Sequence, residues 1–289
     1  MYILVTPAKN EQESLPFVAD AVLKQSILPK LWIIVNDGST DDTPRIVDEL
    51  SANHSWIQSI CLPPRPRDIT FHYSYVCKQG FDFAVEYCRA NQKAFDFIGL
   101  LDADTLLTER YFERLIAAFE HDPLLGIASG GIYYDIQGNL QWIETREKYP
   151  AGTGRLWKKA CFFETGGYMV EPSPDSISTI KAELQGWKTR NFKEIVAIQT
   201  RPTSGAEGVW KGYTIDGNNA YYLNKHPLLV FLNSLHFSRK KPYYIGIAYA
   251  FGYLKGVIRR DKKIEDKQIK DYYWKNRIRE YLPHFLFFK

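Results

Sequence analysis

Apolar positions in the first third of the chain fall into short unbroken runs separated by amphipathic stretches. The runs Tyr2–Val5, Leu31–Val35, Trp56–Leu62 and Phe97–Leu101 are too short for helices and lean on aromatic and branched side chains, so they predict buried strands. Between them Leu15, Val18, Ala21 and Val22 recur at helical spacing, as do Ile46, Val47 and Leu50, and then Phe81, Ala84, Val85 and Cys88. Strands alternating with helices of this kind predict an α/β fold, a mostly parallel Rossmann-like sheet with helices on both faces. Ligands of such sheets bind beyond the carboxyl ends of the strands.

The pattern changes near residue 126. Gly126–Tyr134, Asn139–Ile143 and Ala160–Phe163 read as shorter strands, joined at Gly130-Gly131, Gly152-Thr153-Gly154 and Gly166-Gly167. A helix is expected over Ser176–Gly186, where Ile177, Ile180 and Leu184 share a face, and a strand over Ile195–Ile198. No linker composition interrupts residues 1–238, so residues 1–105 and 106–238 are expected to be two halves of one domain. Residues 239–289 are expected to be a helical tail.

Composition changes this picture in two places. The 289 residues are 45% hydrophobic and 24% charged, enough for a sizeable core. The net charge of +4 conceals an asymmetry: residues 239–289 hold 14 Lys/Arg against 5 Asp/Glu, a net of +9, and the remainder is at −5. A basic tail on an acidic body points to an anionic partner, and no nucleic-acid-binding motif accompanies it, so a membrane surface is favoured over nucleic acid; a basic amphipathic helix packed on the body is the reading of equal weight. The apolar run Pro242–Leu254 is 13 residues, short of the roughly 20 that a spanning helix needs. Cys61, Cys77, Cys88 and Cys161 lack metal-site spacing and read as reduced thiols. With no secretory leader expected at Met1–Val5, the expected location is cytoplasmic, with peripheral contact at the inner face of the membrane.

Candidate chemistry gathers where the strands end. The first is followed by Thr6-Pro7-Ala8-Lys9-Asn10-Glu11, the second by Asn36-Asp37-Gly38-Ser39-Thr40-Asp41, and the fourth by Asp102-Ala103-Asp104. Two carboxylates one residue apart at a strand end suit a hard divalent cation shared with a diphosphate, although a short D-x-D also occurs as a turn or cap. Asp37 before Gly38 has a turn former as its lesser reading, and Asp41 or Thr40 can cap the next helix. Three acid-bearing loops at one sheet edge make a constellation.

These segments, together with Gly166-Gly167-Tyr168 and Asp175, resemble the family-2 inverting glycosyltransferases of GT-A fold over roughly residues 1–235. The resemblance implies a nucleotide-diphosphate sugar donor, a UDP-sugar first among them, with Pro7, Glu11, Asp37, Asp102 and Arg201 on its nucleotide. It implies Mg²⁺ or Mn²⁺ held by Asp104 with Asp102. Asp175 is implied as the general base that deprotonates a lipid-linked or polysaccharide acceptor; capping the following helix is its plain structural reading. Glu164 and Glu171 are the fallback bases. Relatives carry a metal-binding His where this chain reads Gln199-Thr200, which leaves open a second reading, a sugar-nucleotide binding protein with weak or no turnover. The loop Thr203–Gly212 has the glycine and aromatic content of a lid, in which Lys211 is a candidate for the diphosphate. A dinucleotide dehydrogenase is disfavoured because no G-x-G-x-x-G follows the first strand. A nucleotidyltransferase is disfavoured because Thr6–Glu11 is not a glycine- and cation-rich loop.

Overall fold

The computed structural model describes residues 1–65, 71–136, 138–200, 208–239 and 241–276. The chain runs β1 (Tyr2–Ala8), α1 (Leu15–Leu23), β2 (Leu31–Asn36), α2 (Thr43–Asn53), β3 (Ile57–Cys61), α3 (Phe71–Ala90) and β4 (Phe97–Leu100). It continues through β5 (Thr105–Leu107), α4 (Tyr111–His121), β6 (Leu125–Ile136), β7 (Asn139–Trp142), β8 (Arg155–Lys158), α5 (Lys159–Glu164), α6 (Pro174–Leu184) and β9 (Lys188–Gln199). The remaining helices are α7 (Val209–Tyr222), α8 (Pro227–Phe237), α9 (Ile245–Arg259) and α10 (Lys267–Asp271). Two compact units result, Met1–Thr200 and Arg201–Lys289. This division falls earlier than residue 238, because α7 and α8 both pack with α9.

The first unit is built on one sheet in the order β3-β2-β1-β4-β8-β6-β9-β5, with β7 added beside β6. β3, β2, β1 and β4 are mutually parallel, and β8 and β7 turn antiparallel against their neighbours. β1 leads outward to β2 and β3, and α3 then brings the chain back to β4 on the other side of β1. The connections therefore diverge between β1 and β4, the kind of point where open α/β sheets leave a crevice at their carboxyl edge.

Side chains of the central strands alternate between two cores, as strand geometry requires. Tyr2, Leu4, Trp32 and Ile34 face α1, α2 and α4, where Leu15, Val18, Val47, Phe112 and Leu115 meet them. Ile3, Val5, Ile33, Val35 and Ile98 face α3 and α5, against Phe81, Cys77, Trp157 and Phe162. Pro7 is tolerated inside a central strand because β4 pairs with β1 only as far as Val5, so its missing N–H deprives no partner.

Residues Ala160–Phe163 are helical and not a strand. Cys161 and Phe162 are buried while Phe163 is exposed, so only one side of the run is covered. The strand lies just upstream, where Leu156 and Trp157 hide among Arg155, Lys158 and Lys159. Short apolar runs do not separate helix from strand by pattern alone.

In the second unit α7 crosses α9 with almost no gap. A Cβ on Gly217 would collide with the Tyr249 carbonyl, and one on Gly252 with the Thr214 carbonyl. Tyr221, Val230, Tyr249 and Tyr253 fill the space around this crossing. Among the described residues no helix is long and apolar enough to cross a membrane.

Candidate active site

The loops after β1 and β2 are laced together by their own polar side chains. The Asn10 N–H donates to Ser39 Oγ (3.0 Å), and Asn10 Oδ1 accepts from the Thr40 N–H (2.8 Å). The Glu11 N–H donates to Thr43 Oγ1 (2.8 Å) and the Gln12 N–H to Asp41 Oδ2 (3.1 Å). Asp41 Oδ1 also accepts the Thr43 N–H at the start of α2 (3.0 Å), although the cap position itself falls to Asp42, one residue after the expected Asp41 or Thr40. Ser39, Thr40, Asp41 and Thr43 thus hold the loops to each other. Gly38 takes φ +58° with Pro64 directly against it, a place where a Cβ would strike backbone.

Asp37 sits buried at the base of this pair of loops. Lys9 Nζ donates to its Oδ2 (3.1 Å) and to its backbone carbonyl (2.9 Å). His72 Nε2, from the first turn of α3, lies 2.8 and 3.0 Å from its two carboxylate oxygens. Glu11 is also buried, and its Oε2 accepts from Ser14 Oγ (2.6 Å) just ahead of α1. Pro7 is half-buried in β1, one residue before Ala8, whose carbonyl takes the Asp37 N–H (2.9 Å).

Asp102 and Asp104 follow β4. The Tyr73 hydroxyl donates to Asp102 Oδ1 (2.6 Å), and the Asp102 N–H donates to Thr153 Oγ1 (2.9 Å). Asp104 is buried, and its carbonyl accepts from both the N–H (3.0 Å) and the hydroxyl (3.1 Å) of Thr200. Gln199 is buried and pairs with Thr105 across β5 and β9, so the Gln199-Thr200 segment lies against the backbone of Asp104.

Asp175 stands in the first turn of α6, beside Gly152, whose Cβ would approach its Oδ2 to 3.9 Å. The buried Arg155 guanidinium fixes this corner. It donates to the carbonyls of Pro150 (2.6 Å), Ala151 (2.8 Å) and Asp175 (2.8 Å), and to the hydroxyls of Ser178 (2.9 Å) and Thr179 (3.3 Å). Burial lowers its pKa, while the nearby Asp175 charge favours the charged form.

The electrostatics tie these groups into one place. Burial first, then the Asp104 charge, push the Asp102 carboxyl up to about 7, with Glu11 and Asp175 adding to the rise and the Tyr73 hydroxyl opposing it. Because this carboxyl ionises less readily folded than unfolded, the folded chain binds the extra proton between the ordinary 3.8 and about 7. Stability from this group therefore falls as pH rises through that window. Asp102→Asn keeps an acceptor for Tyr73 and removes the charge. It is expected to stabilise the protein by about 1–3 kcal/mol at pH above the window in EDTA, with the gain fading as pH drops towards the lower end. Thermal melts of both proteins across pH check this; equal melting temperatures throughout would refute it.

Glu11, Asp102, Asp104 and Asp175 are thus brought together, and Asp37 lies on the neighbouring loop. The fallback Glu164 is exposed and occupied by the Trp187 indole N–H (2.8 Å). Glu171 is half-buried in the turn ahead of α6. Arg201 and residues 203–207 of the expected lid lie outside the described residues. Lys211 lies in the first turn of α7, in the second unit. Sequence reasoning missed Lys9, His72, Tyr73, Thr153 and Arg155. Gly152-Thr153-Gly154 was the one signal available, since its glycines marked a tight joint.

A model of the family described as Glycosyl transferase family 2 matches residues 3–172. Poly-beta-1,6-N-acetyl-D-glucosamine synthase of Staphylococcus aureus (strain COL) is 28% identical over 222 residues, 70% of this chain and 50% of its own. An uncharacterized glycosyltransferase of Mycoplasma pneumoniae is 27% identical over 128 residues, 43% of this chain and 38% of its own. The chain spans about half the length of the synthase. Among solved structures, residues 1–349 of S. aureus TarS in complex with UDP-GlcNAc superpose with TM-score 0.58 at 14% identity, over 84% of this chain and 74% of that one. A mannosyltransferase from Pyrobaculum calidifontis, in complex with GDP-Man and Mn²⁺, gives 0.55 at 16%, over 88% and 69%. At these identities the structural likeness speaks to fold, and it is the GT-A-type fold expected from the sequence.

Proposed function

The chain belongs to glycosyl transferase family 2, and from that premise we propose that it moves a sugar from a nucleotide-diphosphate donor to an acceptor hydroxyl, with inversion at the anomeric carbon. The observation that carries this reading is the convergence of Glu11, Asp102, Asp104 and Asp175 at the carboxyl edge of the sheet, close enough for each of the other three charges to act on Asp102. A UDP-sugar is the first donor to expect, since TarS has been solved with UDP-GlcNAc. The synthase relative favours a polysaccharide acceptor, and a lipid-linked one carries the same reacting hydroxyl.

Pro7, Glu11 and Asp37 are assigned to the nucleoside, where buried carboxylates accept from base N–H and ribose hydroxyls. Lys9 and His72 orient Asp37 for that role. Arg201 is assigned to the nucleotide-sugar on the resemblance alone, and Lys211 to the diphosphate on its place in the expected lid loop. Asp175 takes the acceptor proton. As the acceptor oxygen bonds to the anomeric carbon, the bond from that carbon to the diphosphate oxygen breaks, and a single displacement of this kind inverts the centre.

Asp102 and Asp104 fit a hard divalent cation. Both offer carboxylate oxygens, and the repulsion that raises Asp102 is what such an ion would relieve. No cluster of three His, Cys, Asp or Glu that could hold a metal occurs among the described residues. An ion on Asp102 and Asp104 would therefore take the rest of its shell from water and substrate phosphate; the P. calidifontis mannosyltransferase has been solved with GDP-Man and Mn²⁺. When bound, the ion neutralises the leaving diphosphate.

A panel of UDP- and GDP-sugars tested by thermal shift with and without Mn²⁺ checks the donor assignment. One donor is expected to raise the melting temperature in a metal-dependent way, by the equivalent of about 2–3 kcal/mol at a hundredfold excess over Kd. A flat panel would refute it. Gln199, buried and paired with Thr105, stands where the resemblance implies a metal-binding His, and this favours a second reading, donor binding without turnover. Donor-dependent melting with no nucleotide release would select it.

A further inference from the structure

Helix α9 is apolar on two opposite faces, and among the described residues only one of them is covered. Ile245, Ala248, Tyr249, Gly252, Tyr253 and Gly256 are buried. Ile247, Phe251, Leu254 and Ile258 recur at helical spacing on the other side and are 62%, 51%, 55% and 81% exposed. A helix that is apolar all round is normally buried all round, in a core or in lipid. The exposed face is extended by rings: Trp210 lies 5.9 Å from Tyr244 and 6.3 Å from Phe251, centroid to centroid, and all three are exposed.

The charges on α9 and in the segment leading into it have one sign. Residues 239–260 contain six Lys/Arg and no Asp or Glu. Arg239 and Lys241 stand exposed ahead of α9, and Arg259 and Arg260 stand exposed at its end; beyond them comes Asp261, and Lys262 pairs with Glu265 (2.8 Å). Apolar side chains with Tyr and Trp between two cationic ends match the cross-section of an anionic bilayer surface, where rings sit at headgroup depth and cations meet lipid phosphates. At 15 residues the helix is too short to span the hydrocarbon, so its place is in the plane of the interface. Self-association fits less well, because a contact between two copies of this face would bring cations of one copy near cations of its mate with no carboxylate of residues 239–260 between them.

We propose that the Ile247-Phe251-Leu254-Ile258 face of α9, with Trp210 and Tyr244, docks in the plane of a membrane surface bearing anionic lipid. The surface lies wholly within the second unit, and its occupancy is independent of sugar transfer.

The test is co-sedimentation of the full chain with phosphatidylcholine vesicles, with and without phosphatidylglycerol, at low and high salt. Binding is expected at least about tenfold tighter to the anionic vesicles and weaker at high salt. Phe251→Glu and Ile258→Glu should each lower it by about tenfold, and Arg259→Glu with Arg260→Glu should flatten the salt dependence. Ile258 is so exposed that Ile258→Glu should melt as the parent does, which keeps the test open if Phe251→Glu misfolds. No binding to anionic vesicles, or binding indifferent to Ile258→Glu, overturns the proposal. So does a concentration-dependent dimer that Ile258→Glu abolishes while vesicle binding persists.

Discussion

Asp175→Asn is expected to leave donor binding intact and lower acceptor-dependent sugar transfer by about 10²–10⁴-fold, the range for loss of a positioned general base. The substitution alters only the carboxylate. The backbone carbonyl of residue 175 keeps its bonds from Arg155, Ser178 and Thr179 (2.8–3.0 Å), so the start of α6 should hold its shape. The effect should appear in kcat, with the KM for donor changed by no more than about threefold, because a proton acceptor acts in the transition state and not in ground-state binding. Steady-state kinetics with the true acceptor measures this. Full turnover by Asp175→Asn would move the base elsewhere.

The second large effect is expected at Arg155. Its five hydrogen bonds tie the loop after β7 to the first turns of α6. Arg155→Met leaves buried carbonyls of Pro150, Ala151 and Asp175 without that donor, at a cost of about 3–5 kcal/mol. In a unit of this size that lowers the melting temperature on the order of 10 °C. Arg155→Lys keeps the charge but cannot span five acceptors with one ammonium. It should fold, with kcat reduced more than donor affinity, because Asp175 loses its fixed bearing. Unchanged melting of Arg155→Met, or full kcat in Arg155→Lys, would remove Arg155 as the residue that positions Asp175.

Much of the first unit was legible because its information is local. Buried strands read as short apolar runs, α1, α2 and α3 as periodic faces, and the loops holding Glu11, Asp37 and Asp102 follow their strands directly. What escaped comes from residues whose meaning depends on distant partners. His72 is a single histidine on a helix until the fold brings it 2.8 Å from Asp37. Tyr73 is one aromatic residue among many until it reaches Asp102. Nothing in the neighbours of Arg155 in the sequence announces a buried guanidinium. Residues 160–163 misled for the opposite reason, since their apolar run is real but only one side of it is covered. The basic tail was legible as charge, whereas the doubly apolar character of α9 needed α7 and α8 to cover one face and leave the other exposed.

The central claim is sugar transfer at the carboxylate cluster of the first unit, and nucleotide release tests it most directly. Release from the donor selected by thermal shift is measured with an acceptor, in Mn²⁺ and in EDTA, for the parent protein and Asp104→Ala. The account predicts acceptor-stimulated release that needs the metal and falls at least about a hundredfold in Asp104→Ala. Release that is indifferent to EDTA and to Asp104→Ala would contradict it.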